Sequence, residues 1–393
     1  MKKISLTLVV SFLFTTLYAQ SKFIFTNKTN LECLPVQDQG NSGTCWCFSS
    51  TSFFESEMIK NDIKTPPNLS EMFIVRYNYL DRAIKYVMLQ KNMTFSQGSY
   101  FWDNFSIMKN YGLMPEEAYP NTLNEETLIN HSDLETELKN FADSVANENN
   151  KELNPKWIDD YNLLLDKYFG AVPDTFEYKG KNYTPLKFAN EVCKLKYEDY
   201  IQITSFSHHD FYKFFALEIP DNWRWSLFLN VKIDDLTDII DNSLALGHTV
   251  LWASDVSEDG IDFRRGYALL PGIYLEGKTP ADIDKFKKLP IKEQLKQSER
   301  LMRPGLEINV SQQSRQEDFN CRKTTDDHGM QIVGTATDQK GNKFYKVKNS
   351  WGEIGNYKGY FYVSEKFVKA KTTGILVHKD CCKEFLKKAE TEF

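Results

Sequence analysis

Residues 37 to 60 read QDQGNSGTCWCFSSTSFFESEMIK, a run of turn-forming residues that breaks, at a cysteine, into an apolar helix. Asn41, Ser42, Gly43 and Thr44 are turn and cap residues. The pattern predicts a helix from Cys45 to about Asn61, with the Cys45 sulfur at its positive end. A helix N-terminus and a neighbouring imidazolium both lower a thiol's pKa, and the thiolate is the nucleophilic form. Cys47 points to another face and reads as a buried apolar side chain. Taken alone, a cysteine so placed is more often core than chemistry, and the rest of the chain must supply a partner.

A chain of 393 residues with 41% hydrophobic content has material for a sizeable core, in one large domain or two lobes. Its formal net charge of −6 suits nucleic acid poorly, and no nucleic-acid partner is expected. Lys2 and Lys3 precede ISLTLVVSFLFTTLYA, an uncharged run shorter than the roughly 20 residues of a membrane span. It reads as a secretory signal over residues 1–19 with cleavage near Ala19, a retained anchor being the other reading. Export to the periplasm or beyond follows, with membrane contact only through the cleaved signal. No cysteine follows the cleavage point, so no lipid anchor is expected. The seven cysteines, Cys33, Cys45, Cys47, Cys193, Cys321, Cys381 and Cys382, are an odd number, which in an exported protein leaves one thiol unpaired within the chain. Spacing does not assign the pairing of the others.

Residues 20–120 read as a helical lobe, in which PPNLSEMFIVRYNYLDRAIKYVMLQ supplies a second long helix behind its Pro-Pro start. FSQGSYFWDN, residues 95–104, reads as an aromatic loop that either lines a cleft or packs on the surface. Residues 121–225 turn charged and periodic, a mainly helical insertion. Leu134, Leu138, Phe141 and Val145 share one face behind a capping-box pattern at Ser132 and Glu135. Ile158, Tyr161, Leu165 and Tyr168 share another between Pro155 and a stop at Gly170. Residues 226–378 bring HTVLWASDV, GYALLPGIYL, a Lys/Glu-rich helix near 281–302, and then HGMQIVGTATDQKGNKFYKVKNSWG with a turn at Lys340-Gly341-Asn342. KGYFYVS and TGILVHK follow. This part predicts an antiparallel sheet or barrel, and residues 379–393 a C-terminal helix.

A thiolate needs a proton-transfer partner. His131 lies in the polar insertion, His208 and His209 form a surface-like pair, His248 begins a strand, and His378 lies near the C-terminus. His328 opens a strand and is followed by NSWG. Its imidazole can pair with Cys45, Asn349 can accept the imidazole N–H and orient the ring, and Trp351 can cover that bond. Gln39 either caps a turn or, with the Cys45 backbone N–H, stabilises an oxyanion at an attacked acyl carbon. Cys381 and Cys382 beside His378 form a weak metal-ligand pattern, because adjacent helical cysteines do not easily face one ion. No metal or other cofactor is expected.

QGNSGTCW, followed far downstream by DHG and NSWG, resembles the papain-like (C1) cysteine peptidases, in which the matching glutamine, cysteine, histidine and asparagine form the oxyanion hole and catalytic triad. The Cys45-to-His328 separation far exceeds the ~130–150 residues of papain and cathepsins. LSEMFIVRYNYLDRA, MKNYGLMPEEAYP and GHTVLWASDVSED resemble segments of the bleomycin hydrolase or aminopeptidase C branch. The resemblance implies a two-lobed α+β fold with helical insertions, Cys45 on the helical lobe and His328 and Asn349 on the β lobe. It implies peptide substrates, a Cys45 thioester, His328 as general base and acid, Asn349 as orienter, and Gln39 as oxyanion donor. Trp46 and Trp351 would support the site, and homo-oligomers, commonly hexamers, go with the branch.

The sequence departs from that branch at two places. Gly98 and Ser99 stand where it shows a paired-glycine strip for substrate backbone. KDCCKEFLKKAETEF resembles its last helix, and the sequence stops where the branch carries a C-terminal arm whose carboxylate selects substrates with a free amino terminus. Aminopeptidase activity is what the resemblance implies, and endopeptidase activity what a missing arm implies. A catalytically silent binding protein of the same fold is the third reading.

Overall fold

The helix predicted from Cys45 runs Cys45–Lys60 in a computed structural model, and every residue from Trp46 to Met58 is buried. The structure describes residues 23–123, 129–147, 153–258, 260–272, 279–290, 293, 294, 297 and 307–391. The signal read over residues 1–19 lies outside them. A helix buried on all faces belongs in the middle of a molecule. This one packs on one side against helices Glu71–Met88 and Phe101–Tyr111, and on the other against strands Val250–Ser254 and His328–Thr337.

On the helical side, Ser70 caps Glu71–Met88 by accepting from Phe73 N at 3.1 Å. The aromatic segment expected as a loop through residue 104 turns helical at Phe101, because the Asp103 carboxylate accepts from Tyr100 N and closes the first turn. Helices Leu134–Ala146 and Trp157–Phe169 form the inserted layer over Glu71–Met88. Arg76 ties that layer down through Asp166 and Asn162. The capping box read at Ser132 and Glu135 does not form. Asp133 is the N-cap, the Ser132 hydroxyl donates to Asn130, and Glu135 accepts from Gln97 N, which fastens the insertion to the rim of the site.

The β side is an open mixed sheet, not a barrel, among the described residues. Its order is Phe214–Ala216, Leu227–Asn230, Tyr200–Thr204, Thr372–His378, Val250–Ser254, His328–Thr337, Lys343–Lys348, Tyr360–Ser364, Tyr267–Ala268, Ile261–Asp262, with Thr26–Asn30 also on His328–Thr337. Pairings are antiparallel except Tyr200–Thr204 with Leu227–Asn230 and Tyr360–Ser364 with Tyr267–Ala268. Two of these strands come from the stretch read as mainly helical insertion. The Lys/Glu-rich helix forms as Pro280–Lys287 and ends before Pro290, whose ring forbids its continuation. Much of its expected remainder lies outside the described residues. A second core fills the space between the sheet and helix Ile233–Ala245. The C-terminal segment is a short 3₁₀ turn, Lys379–Cys382, leading into helix Lys383–Thr391. All seven cysteines are free. Among the described residues no helix is long and apolar enough to cross a membrane.

Candidate active site

Three segments converge on Cys45. The first is the start of its own helix. Thr44 makes no side-chain cap, and the turn is held from outside. Gln39 Nε2 donates to Ser42 O at 2.7 Å and Ser42 Oγ donates back to Gln39 O at 2.7 Å. Gln97 grips the same turn, its Oε1 accepting from Gly43 N at 2.8 Å and its carbonyl from Trp46 Nε1 at 3.0 Å. A Cβ on Gly43 would lie 2.9 Å from Gln97 Cβ, so this close approach needs glycine.

The second segment is the start of strand His328–Thr337. Gly329 lies directly on the Cys45 helix, where a Cβ would meet Phe101 Cε1 at 3.0 Å and both Ser49 Oγ and Trp46 Cα at 3.2 Å. Lacking one, Gly329, the residue after His328, brings its N–H to 3.4 Å from Cys45 Sγ. The third segment is Asn349–Gly352. Gln39 N donates to Ser350 O at 2.9 Å, Gly352 N to Gln37 O at 3.0 Å, and Ser350 Oγ to Gln39 Oε1 at 2.7 Å. These bonds zip Gln39 to the end of the strand that leads into Asn349.

His328 Nε2 and Asn349 Oδ1 are 2.7 Å apart and both residues are buried. Asn349 Oδ1 also accepts from Ser350 N at 2.8 Å. A backbone N–H can only donate, so that atom is the amide oxygen, His328 carries its proton on Nε2, and Nδ1 is the basic position. The Trp351 ring stacks on His328 with centroids 4.6 Å apart and covers the bond. Gln39 keeps one amide N–H beyond the one given to Ser42, as an oxyanion donor needs.

Electrostatics differ from the helix-dipole expectation. Burial, followed by Asp221 and Asp326, pushes the Cys45 thiol up to about 12 against the Gly329 and Trp46 N–H groups that lower it. Burial lowers His328 to about 4, against Asn349 and Asp327. Each group is therefore neutral at pH 7. Asp327 is lowered despite its burial by hydrogen bonds from Thr325 and neighbours, and it places a negative charge beside His328.

The substrate strip is the part that departs most from expectation. The Ser99 hydroxyl is buried among Asp103, Asn78 and Trp223 Nε1, and serves the wall rather than a substrate. Gly98 O accepts from Arg82, and the Asp221 carboxylate rests on Gly98, where a Cβ would lie 2.4 Å from Oδ2. Sequence reasoning did not single out Gln97, Asp221 or Asp326. The paired aspartates directly before His328 were the available signal. His208, His209 and Glu218 bring three ligand-type atoms within 4.8 Å of one another, which metal-binding groups can do, whereas Cys381, Cys382 and His378 form no such cluster among the described residues.

Residues 8–270 and 295–392 match the model of the Peptidase C1-like family. The chain belongs to the Peptidase C1-like family. It is a cysteine-type peptidase. Relatives of this peptidase include Aminopeptidase G of Lactobacillus delbrueckii subsp. lactis, 23% identical over 388 residues, 89% of this chain and 82% of the relative. Aminopeptidase C of Lactobacillus helveticus is 24% identical over 401 residues, 90% of this chain and 82% of the relative. The crystal structure of PepW from Lactobacillus rhamnosis HN001 superposes with a TM-score of 0.66 at 18% identity, covering 93% of this peptidase and 85% of that chain, which makes the fold papain-like α+β.

Proposed function

We propose that the chain is an exported aminopeptidase that removes amino-terminal residues from peptides through a thioester on Cys45. The observation that carries this reading is the join between the lobes: Gly329 N on Cys45 Sγ, with His328 locked to Asn349 in the next layer. In the first step Cys45 gives its proton to His328 Nδ1 and the sulfur adds to the scissile carbonyl carbon, the oxyanion facing Gln39 and the Cys45 N–H. The C–N bond then breaks and the leaving amine takes the proton from His328. A water, losing a proton to the same nitrogen, attacks the thioester, the C–S bond breaks and the thiol is restored. The names of the relatives support the aminopeptidase part, and the leader over residues 1–19 supports export.

Rapid acid quench followed by intact-mass analysis should find an acyl group on the native protein and none on Cys45→Ala, whose turnover falls by on the order of a thousandfold or more. An unchanged rate in Cys45→Ala rejects the assigned nucleophile. Cell-derived protein should begin near Gln20, and a retained Met1 counts against export.

A further inference from the structure

Asp221 sits between the two walls of the cleft. On the nucleophile wall, Gln97 is bonded to Gly43 and Trp46, and the next residue, Gly98, carries the Asp221 carboxylate on its face, with a would-be Cβ 2.4 Å from Oδ2 and 2.5 Å from Oδ1. On the other side, the Asp221 backbone N–H lies near enough to the Asp326 carboxyl, two residues before His328, to lower it against its burial. The segment around Asp221 is anchored from behind, because Asn222 Oδ1 accepts from Ser226 N at 2.9 Å and Trp223 Nε1 donates to Ser99 Oγ at 2.8 Å. The result is a strap that joins Gly98, the residue after Gln97, to Asp326, two residues before His328.

The strap also carries two carboxyl groups, both pushed up by burial, Asp326 well above the ordinary range and Asp221 to about 6, so that at neutral pH the charge rests mainly on Asp221. Asp326 Oδ2 is buried and accepts no hydrogen bond among the described residues. Among the described residues Arg82 lowers Asp221; its NH1 and NH2 are occupied by Ser96, Gly98 and Ser99, and its Nε has no acceptor. Asp103 and Tyr100 add no positive charge, and both aspartates raise the Cys45 thiol. The subsite therefore combines a carboxylate lying on the Gly98 backbone, a buried carboxyl oxygen without a partner, and negative potential that disfavours the thiolate. A cation with three N–H donors answers all three: it gives Asp326 Oδ2 a donor and offsets the potential on the sulfur. The end of a peptide with that chemistry is its α-ammonium, not its carboxylate.

We propose that Asp221, with Asp326, forms the subsite that receives the substrate's α-ammonium and stops the cleft after the amino-terminal residue. This deepens the aminopeptidase reading and rests on it. Asp221 is in this account a specificity-determining residue that touches substrate and takes no part in bond making.

The test labels Cys45 at neutral pH with alanyl chloromethyl ketone, which bears a free α-amine, and with its N-acetyl counterpart, counting adducts by intact mass. Neutral iodoacetamide reports thiol access in every variant. The native protein should react with the free-amine reagent on the order of tenfold to a hundredfold faster. Asp221→Asn, similar in shape and still able to donate its backbone N–H, should bring the two rates together, whereas Asp221→Glu should retain part of the preference. Asp221→Gly should also admit an N-acetyl dipeptidyl chloromethyl ketone. An undiminished preference in Asp221→Asn overturns the proposal, as does continued exclusion of the dipeptidyl reagent by Asp221→Gly. Labelling needs only the thiol and the subsite, so native protein that is labelled with the predicted preference yet hydrolyses no peptide upholds this inference and rejects the peptidase step.

Discussion

At the scale of single residues, the site joins a half-buried thiol, touched by the Gly329 N–H, to the buried imidazole of the residue before that glycine. Burial raises Cys45 and lowers His328, so neither ionises readily by itself, and in the mechanism proposed above the imidazole takes the thiol's proton. Native Cys45 should therefore alkylate with iodoacetamide at a rate that levels off around neutrality. In His328→Ala the rate at pH 7 should fall by at least tenfold and climb with pH towards the thiol's own high value; an unchanged profile would remove His328 from the pair. Cys45, His328, Asn349, Gln39 and Trp351 were readable in the sequence because each sits in a short motif whose order carries the chemistry. Asp221 was not, since an aspartate in IPDNW has the look of an ordinary solvated turn. Only the fold lays it on Gly98.

At the scale of elements, the Cys45 helix, helix Glu71–Met88 and strand Lys343–Lys348 meet over buried charge. Burial and Glu71 push Glu55 up to about 8, and burial raises Glu71 to about 7. Glu55 Oε1 accepts from Leu69 N at 3.0 Å, and Lys348 Nζ donates to Leu34 O and Ser52 Oγ. A carboxyl raised in the folded state binds more protons there than in the unfolded chain, so its stabilising contribution is full below the unfolded value of about 4.3 and is lost as pH rises towards the folded one. The melting temperature should fall between about pH 5 and pH 8. Glu55→Gln, which keeps the acceptor for Leu69, should flatten that slope; an unaltered slope would place the proton uptake elsewhere. The helices on the inserted layer were legible from their apolar period, but their caps were not. Ser132 and Glu135 have the spacing of a box and are claimed instead by Asn130 and Gln97, partners distant or irregular in sequence.

At the scale of the whole molecule, the two lobes are joined beneath the cleft by polar bonds as well as by packing. Gln331 on the sheet reaches Ser52 and Ser56 on the Cys45 helix and Thr249, and His248 reaches Glu57. Those joins hold the nucleophile and its base in one frame. The α+β class and the two lobes were what the family resemblance implied, with helical periods giving way to strand alternation along the chain, whereas the open, mixed sheet depended on Thr26–Asn30 and Tyr200–Thr204, short strands whose partners are far away in sequence. The central claim joins this frame to a function, that Cys45 cleaves peptides at a free amino terminus. The direct measurement is hydrolysis of an aminoacyl fluorogenic amide and of its N-acetyl form by the native protein and by Cys45→Ala. The account predicts release from the free-amine compound alone, and from neither compound in the variant. Equal release from the blocked compound, or release that persists in Cys45→Ala, would contradict it.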